Sequence, residues 1–236
     1  MNAFAYVGDE LDVFAHAVNW KRYFGRLLAP YVRGEVLEVG AGIGGTTRVL
    51  CTPRADRWVC LEPDPELAER LRMTASERPF AVPVDVEVGT VASLADDRRF
   101  DCILYIDVLE HIEADRAELE AAAKHLKPGG TLIVLCPAHP MLYTEFDRAI
   151  GHYRRYTKAM YRAIEPDGLR RERLIYLDSA GLLLSLGNRL LLRSGSPTLK
   201  QVKVWDRLFV PISRLMDPLL GRTVGKSIVG VWRNAA

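Results

Sequence analysis

From Glu35 onward, short apolar runs alternate with segments whose apolar residues recur at helical spacing, a pattern that predicts a parallel sheet covered by helices on both faces. Strands are expected at Glu35–Val39, Trp58–Leu61, Val84–Val88, Cys102–Ile106 and Thr131–Cys136. Helices are expected after the glycine turn, from Pro65 to about Thr74, and from Ala114 to Leu126, where Glu120 and Lys124 stand four apart and Pro128-Gly129-Gly130 is the stop. Beyond Pro137 the alternation ends. A loop to Tyr156, a helix near Thr157–Ile164 and strands near Arg173–Leu177 and Ser227–Trp232 are expected. Between those strands lie two helical stretches, Leu182–Leu192 and Val202–Met216, interrupted at Ser194-Gly195-Ser196-Pro197 and suited to a lid. The first thirty residues are amphipathic, with Leu11, Phe14, Ala15, Val18, Tyr23 and Leu27 at helical intervals; most of this is packing, and Tyr6, Trp20 and Tyr23 are candidates to close over a pocket. The expected organisation is an N-terminal helical cap (1–34), an α/β core (35–181), a helical insertion (182–226) and a final strand (227–236).

The most informative segment is Val36-Leu-Glu-Val-Gly-Ala-Gly-Ile-Gly-Gly45. Gly40, Gly42 and Gly45 satisfy the dinucleotide spacing G-x-G-x-x-G, a weak signal by itself. Glu38 sharpens it, because a carboxylate beside the turn repels a pyrophosphate and attracts a cationic ligand such as S-adenosylmethionine. In an open parallel sheet, ligands bind beyond the carboxyl ends of the strands. Those ends supply Gly40, Ala41, Gly42 and Gly44 after the first strand, and Glu62 with Pro63 after the second. They supply Gly89, Thr90 and Val91 after the third, and Tyr105, Ile106, Asp107 and Glu110-His111 after the fourth. Glu62 is placed to accept hydrogen bonds from ribose hydroxyls; alone it would be only a helix-start charge.

In this order of motifs, Val-Leu-Glu-Val-Gly-Ala-Gly-Ile-Gly, Leu-Glu-Pro-Asp, Asp-Val-Leu-Glu-His-Ile and Leu-Lys-Pro-Gly-Gly-Thr-Leu, the chain resembles the class I S-adenosylmethionine-dependent methyltransferases from Glu35 to about Pro137. The resemblance implies a Rossmann-like, doubly wound, seven-stranded sheet with an antiparallel last strand and a lid inserted before it. It implies that Glu38 and the glycines hold the methionine part, Glu62 the ribose, and Thr90 and Val91 the adenine, with His111 near the cofactor. Many relatives carry an acid near Thr90, and this chain does not. Residues Asp147 to Thr157, with His152-Tyr-Arg-Arg-Tyr, resemble a bacterial small-molecule subgroup.

Methyl transfer from a sulfonium needs a nucleophile held in line with the leaving sulfur, and a hydroxyl acceptor profits from a base near neutral pH. His139, His152 and Tyr143 are the candidates on the acceptor side. Two readings of the Arg154-Arg155 region stay open: recognition of an acidic acceptor, or a structural tie through Asp147. His125, late on a helix, reads as structural. No metal-ligand set is read. The function expected is methylation of a small, acidic or amphipathic acceptor, with a cofactor-binding protein without methyl transfer as the alternative and an NAD-dependent oxidoreductase behind it.

Length, charge and cysteines refine this. The chain has 236 residues, enough for one core with a lid. Its net charge of +2 hides a basic end: from residue 169 onward twelve Arg or Lys face four acids. That end reads as a solvated face first, and as an anion or lipid surface second, with Leu182-Leu183-Leu184 and Leu190-Leu191-Leu192 beside Arg189 and Arg193 as the peripheral membrane candidate. Nucleic acid is not expected as a partner, since the position after the fourth strand reads Tyr-Ile-Asp-Val rather than the motif of base-methylating relatives. Cys51, Cys60, Cys102 and Cys136 show no paired spacing and read as buried thiols; with no leader pattern and no bilayer-length apolar run, a cytoplasmic protein is expected.

Overall fold

The computed structural model describes residues 10–187 and 197–235. Seven strands form one sheet in the order β3-β2-β1-β4-β5-β7-β6. They are β1 (Gly34–Val39), β2 (Ala55–Glu62), β3 (Val84–Val88), β4 (Phe100–Ile106), β5 (Leu126–Pro137), β6 (Leu169–Leu177) and β7 (Ser227–Asn234). The first five pair in parallel, and β7 runs antiparallel to both β5 and β6. Strand order reverses between β1 and β4, so this topology opens its crevice beyond their carboxyl ends.

Strands buried on both faces read as continuous apolar runs, and period two assigns their side chains. Cys102, Leu104 and Ile106 enter one core with Trp20, Phe24, Trp58 and Leu135; Ile103 and Tyr105 enter the other with Leu119, Val134, Tyr161 and Trp232. Helix α4 (Pro65–Glu77) starts as its sequence predicts: Asp64 accepts the amides of Glu66 and Leu67 at 2.7 and 3.2 Å, with proline at the first helical position. Helix α5 (Asp115–Lys124) ends earlier than expected, and Pro128-Gly129-Gly130 lies inside β5 instead of forming the stop. Glu120 pairs with Arg116 rather than Lys124.

The amphipathic N-terminal stretch divides into α1 (Glu10–Ala15) and α2 (Val18–Leu28). Between β1 and β2 lies the short α3 (Thr47–Leu50), and the segment 137–156, expected as a loop, contains α6 (Glu145–Ala149). Helix α7 (Lys158–Ala163) is capped by Thr157. Between β6 and β7 come α8 (Ser179–Gly187), α9 (Leu199–Val204), a π-helical turn (Trp205–Phe209) and α10 (Val210–Leu219). Arg189, Leu190–Leu192, Arg193 and the Ser194-Gly195-Ser196 break lie outside the described residues, as does Tyr6. Helix α2 has no cap of its own. Asp206 from the insertion accepts the amides of Asn19 and Trp20 at 3.1 and 2.8 Å, and Trp20 packs against Trp205 with ring centroids 6.0 Å apart and planes tilted by 51°. The N-terminal helices and the insertion therefore form one assembly over the sheet. No helix among the described residues is long and apolar enough to cross a membrane.

Candidate active site at the switch point

Beyond β1 and β4 lies a cavity of roughly 1590 Å³. Its floor is the glycine turn, Gly40, Ala41 and Gly42, with Ile106, Asp107, Glu110 and His111 after β4; its far wall carries Tyr143, Asp147, His152 and Arg155 from the segment around α6. Phe14, Trp20, Leu183, Leu184 and Trp205 make the apolar roof. This exceeds the usual size of a single-ligand pocket and leaves room for a nucleoside and an acceptor together.

Gly40, Gly42 and Gly44 all have positive φ, at 66°, 54° and 77°. A side chain at Gly40 would meet Val108 at 2.6 Å as well, so both conformation and space demand glycine there. The left-handed backbone thus falls at 40, 42 and 44, while Gly40, Gly42 and Gly45 line the cavity.

Several expected site residues do not reach the cavity wall. The Glu38 carboxylate turns beneath the turn, where one oxygen accepts the Thr47 hydroxyl at 2.6 Å and the Trp58 indole N–H at 2.9 Å. Glu62 is 4% exposed and accepts the Gly42 amide at 2.7 Å and the Asp64 amide at 3.0 Å, bracing the turn from behind. Gly44, Pro63 and Gly89 support the same rim without lining it, and Thr90 caps a short turn over Val91, which is buried in the second core. Tyr105 is corrected outright: period two sends it to the opposite face, where its hydroxyl donates to Glu118 on α5 at 2.8 Å. His139 is corrected too. With φ at 65°, its Nε2 faces the Gly225 carbonyl at 3.0 Å and its ring stacks on Tyr176 at 4.9 Å, away from the cavity.

The structure does bring His111, Tyr143 and His152 together. Nδ1 of His152 lies 2.9 Å from Asp147 Oδ1, its Nε2 faces Glu110, and its ring meets His111 edge to face at 4.5 Å. Tyr143 donates its hydroxyl to the His152 carbonyl at 2.6 Å and so supports His152 rather than offering its own proton acceptor. Arg155 grips Asp147 with Nε and Nη2 at 2.8 and 2.9 Å while also lining the cavity, and Arg154 pairs with Asp115 on α5 at 2.5 Å, so both arginines tie the segment down. Lys21, Trp205 and Lys226 also line the cavity, and sequence reasoning missed them because nothing local ties residues 21, 205 and 226 to the strand ends.

Burial shapes the charges. Glu38 is pushed up to about 7, chiefly by desolvation and further by the Glu62 charge. Asp107 stands in the cavity yet is ringed by protein, which pushes it up to about 6. Burial pushes His111 down to about 4, so it is neutral at physiological pH. Because folding raises the Glu38 pKa, stability falls as pH climbs from the ordinary carboxylate range through about 7. Glu38→Gln, which keeps both bonds and removes the buried charge, is expected to stabilise the protein at pH 8 by about 1–3 kcal/mol and to flatten that decline. Urea denaturation at pH 5 and pH 8 checks it; a less stable variant at pH 8 would show that the charge is compensated.

With this geometry in view, residues 37–132 match the family model described as a methyltransferase domain. That segment is similar to a methyltransferase domain, and the sheet that carries it has the fold of the class I S-adenosylmethionine-dependent methyltransferases. Among its relatives, a ubiquinone biosynthesis O-methyltransferase of Xanthomonas campestris is 33% identical over 102 residues, covering 42% of this chain and 41% of that protein. A demethylmenaquinone methyltransferase of Tropheryma whipplei is 29% identical over 138 residues, 54% of this chain and 52% of that protein. The chain therefore spans about half the length of these relatives or less. A solved methyltransferase bound to the Haloferax volcanii Trm112 activator superimposes with a TM-score of 0.62 at 20% identity, over 98% of this chain and 100% of that one.

Proposed function

We propose that the protein transfers a methyl group from S-adenosylmethionine to a hydroxyl of a small amphipathic acceptor. One observation carries this reading: a single cavity joins the glycine turn, with acids at its floor, to a carboxylate-oriented histidine under an apolar roof. When bound, the cofactor supplies a methyl carbon whose transfer leaves a neutral thioether. Asp107 at the floor favours a cationic ligand and disfavours a pyrophosphate, which counts against the nicotinamide alternative. The backbone at Gly40–Gly42 cradles the methionine part without side chains in the way. Glu62 lies one hydrogen bond behind the Gly42 amide and its oxygens keep lone pairs beyond the two amides they accept, so a ribose that reaches past the turn is held there.

On the acceptor side, Asp147 holds His152 with Nδ1 protonated, which leaves Nε2 directed into the cavity to take the acceptor's proton as its oxygen attacks in line. Phe14, Trp20, Leu183, Leu184 and Trp205 match a largely apolar acceptor, and the quinone-pathway enzymes among the relatives act in keeping with that chemistry. The organisation into cap (1–34), core (35–181), insertion (182–226) and closing strand (227–236) is part of the proposal, with cap and insertion acting as one roof. Peripheral lipid contact would fall on the outer face around α10, where Leu208, Ile212, Leu215 and Leu219 are exposed beside Arg207 and Arg214; vesicle co-sedimentation measures it.

Calorimetry with S-adenosylhomocysteine tests the cofactor half. The native protein is expected to bind it, and Glu62→Ala to weaken it roughly 10- to 100-fold, about 1.4–2.7 kcal/mol. Unchanged affinity would remove Glu62 from the ribose, and binding of NADH in its place would overturn the reading.

A further inference from the structure

Glu110, His111 and His152 come from two separate segments and meet at one edge of the cavity, with a ligand atom of each within 4.8 Å of the other two. Sequence reading gave His111 and His152 to different tasks and gave Glu110 none.

Three features of the cluster are those of a cation site. First, Glu110 is fully buried, and among the described residues neither carboxylate oxygen has a hydrogen-bond partner. In its charged form a carboxylate so placed is costly unless a positive charge meets it. The nearby cations are engaged elsewhere: Arg155 with Asp147, the Lys21 ammonium with the Phe14 carbonyl at 2.5 Å, and Lys226 with Asp178 at 3.6 Å and over the Trp205 ring. Second, both imidazoles are anchored from behind. His152 is held through Nδ1 by the Asp147 carboxylate, and His111 by the Ile150 backbone carbonyl. Metal-bound histidines are oriented in this way, one ring nitrogen on a carboxylate or carbonyl and the other on the metal. Third, the spacing suits a small ion. Nε2 of His152 is 3.9 Å from Glu110 Oε1, whereas nitrogen and oxygen ligands bound at about 2.0–2.2 Å in tetrahedral geometry stand roughly 3.3–3.6 Å apart. For that pair a shift of under about 1 Å closes the gap.

We propose that Glu110, His111 and His152 bind one divalent transition-metal ion, zinc or an ion of similar preference, with Asp147 and the Ile150 carbonyl as the groups that orient the two imidazoles. Two nitrogens and one oxygen suit zinc, cobalt, iron or manganese better than calcium or magnesium, which favour all-oxygen sets. Three protein ligands leave at least one position open toward the cavity. Resting on the methyl-transfer reading, that position takes the acceptor oxygen. The acceptor's O–H bond then breaks with its proton leaving to solvent, the oxygen is held as the anion on the metal, and its lone pair forms the bond to the methyl carbon as the carbon–sulfur bond breaks toward sulfur. His152 is in that state a ligand, and the ion replaces it as the means of ionising the acceptor.

The test is titration of the chelator-stripped full chain with Co2+, read by the visible absorption of low-symmetry coordinated cobalt, with competition by Zn2+. One equivalent is expected, bound at about micromolar dissociation constant or tighter. Glu110→Gln, His111→Gln and His152→Gln are each expected to weaken it at least tenfold, with circular dichroism and urea denaturation of the same samples confirming that each variant is folded. Absence of a stoichiometric cobalt spectrum in the native chain overturns the proposal, as does a native-like spectrum and affinity in all three variants. Failure of the native chain to bind S-adenosylhomocysteine while it binds cobalt would overturn the methyl-transfer reading and leave the metal site standing.

Discussion

Replacing Asp147 with alanine is expected to cost about 3–5 kcal/mol of stability and to lower turnover about 10²- to 10³-fold. The carboxylate is fully buried and accepts from five groups: Arg155 Nε and Nη2, His152 Nδ1, and the Thr144 amide and hydroxyl at 2.8 and 2.9 Å. Burial by itself pushes this carboxyl up, but the bonds from His152 and Arg155 outweigh it and hold the group well below the usual carboxylate range. A depressed carboxyl contributes stability that is present at neutral pH and is lost as pH falls below the ordinary carboxylate pKa. The alanine variant should therefore lose the native protein's acid sensitivity along with its stability. Truncation strands a buried guanidinium, which is why the cost exceeds that of a surface pair. Asp147→Asn separates the two effects, since it retains the volume but no longer enforces a proton on His152 Nδ1. Urea denaturation and single-turnover rates at pH 7 read both; native turnover in the asparagine variant would show that orientation of His152 is not limiting.

Asp217→Ala is expected to be comparably destabilising, about 3–5 kcal/mol, through a different mechanism. This carboxylate, also fully buried, accepts the Tyr23 hydroxyl at 2.6 Å, the amides of Asp178 and Ser179 at 2.7 and 3.0 Å, and the Ser179 hydroxyl at 2.5 Å. It thereby joins α2, the end of β6 and α10 at one point. Beside it Asp178 accepts the Ser213 hydroxyl at 2.6 Å and the Trp205 indole at 2.8 Å, so the roof is tied to the sheet by two adjacent acids. Removal leaves buried donors unsatisfied, each costing about 1–3 kcal/mol before relaxation. Because these contacts hold the roof, the variant should become sensitive to limited proteolysis within α8 to α10 while the sheet persists. A shift below about 1 kcal/mol in urea would mean that water replaces the lost acceptor at little cost.

Sequence pattern alone determined the strands of the parallel sheet, Val84–Val88 without error and β5 with its start placed at Thr131 instead of Leu126. It also determined the glycine turn and the acids at the strand tips. These features are local: an apolar run, a proline at a helix start, or a glycine forced to positive φ has the same meaning wherever it lies in the chain. Where it failed within the sheet, at Tyr105, the period-two rule was available and pointed to the correct face. What only the tertiary structure decided is every pairing between distant segments. His152 meets His111 and Glu110, Asp206 caps a helix nearly two hundred residues away, and the arginines of 154–155 turn to Asp115 and Asp147 rather than to a ligand. His139, two residues past β5 in a segment expected to face the acceptor, carries no local mark that its ring would turn onto Tyr176. Side-chain direction in a loop is set by which partner satisfies its polar atoms, and those partners come from elements that the chain brings near only after the sheet has formed.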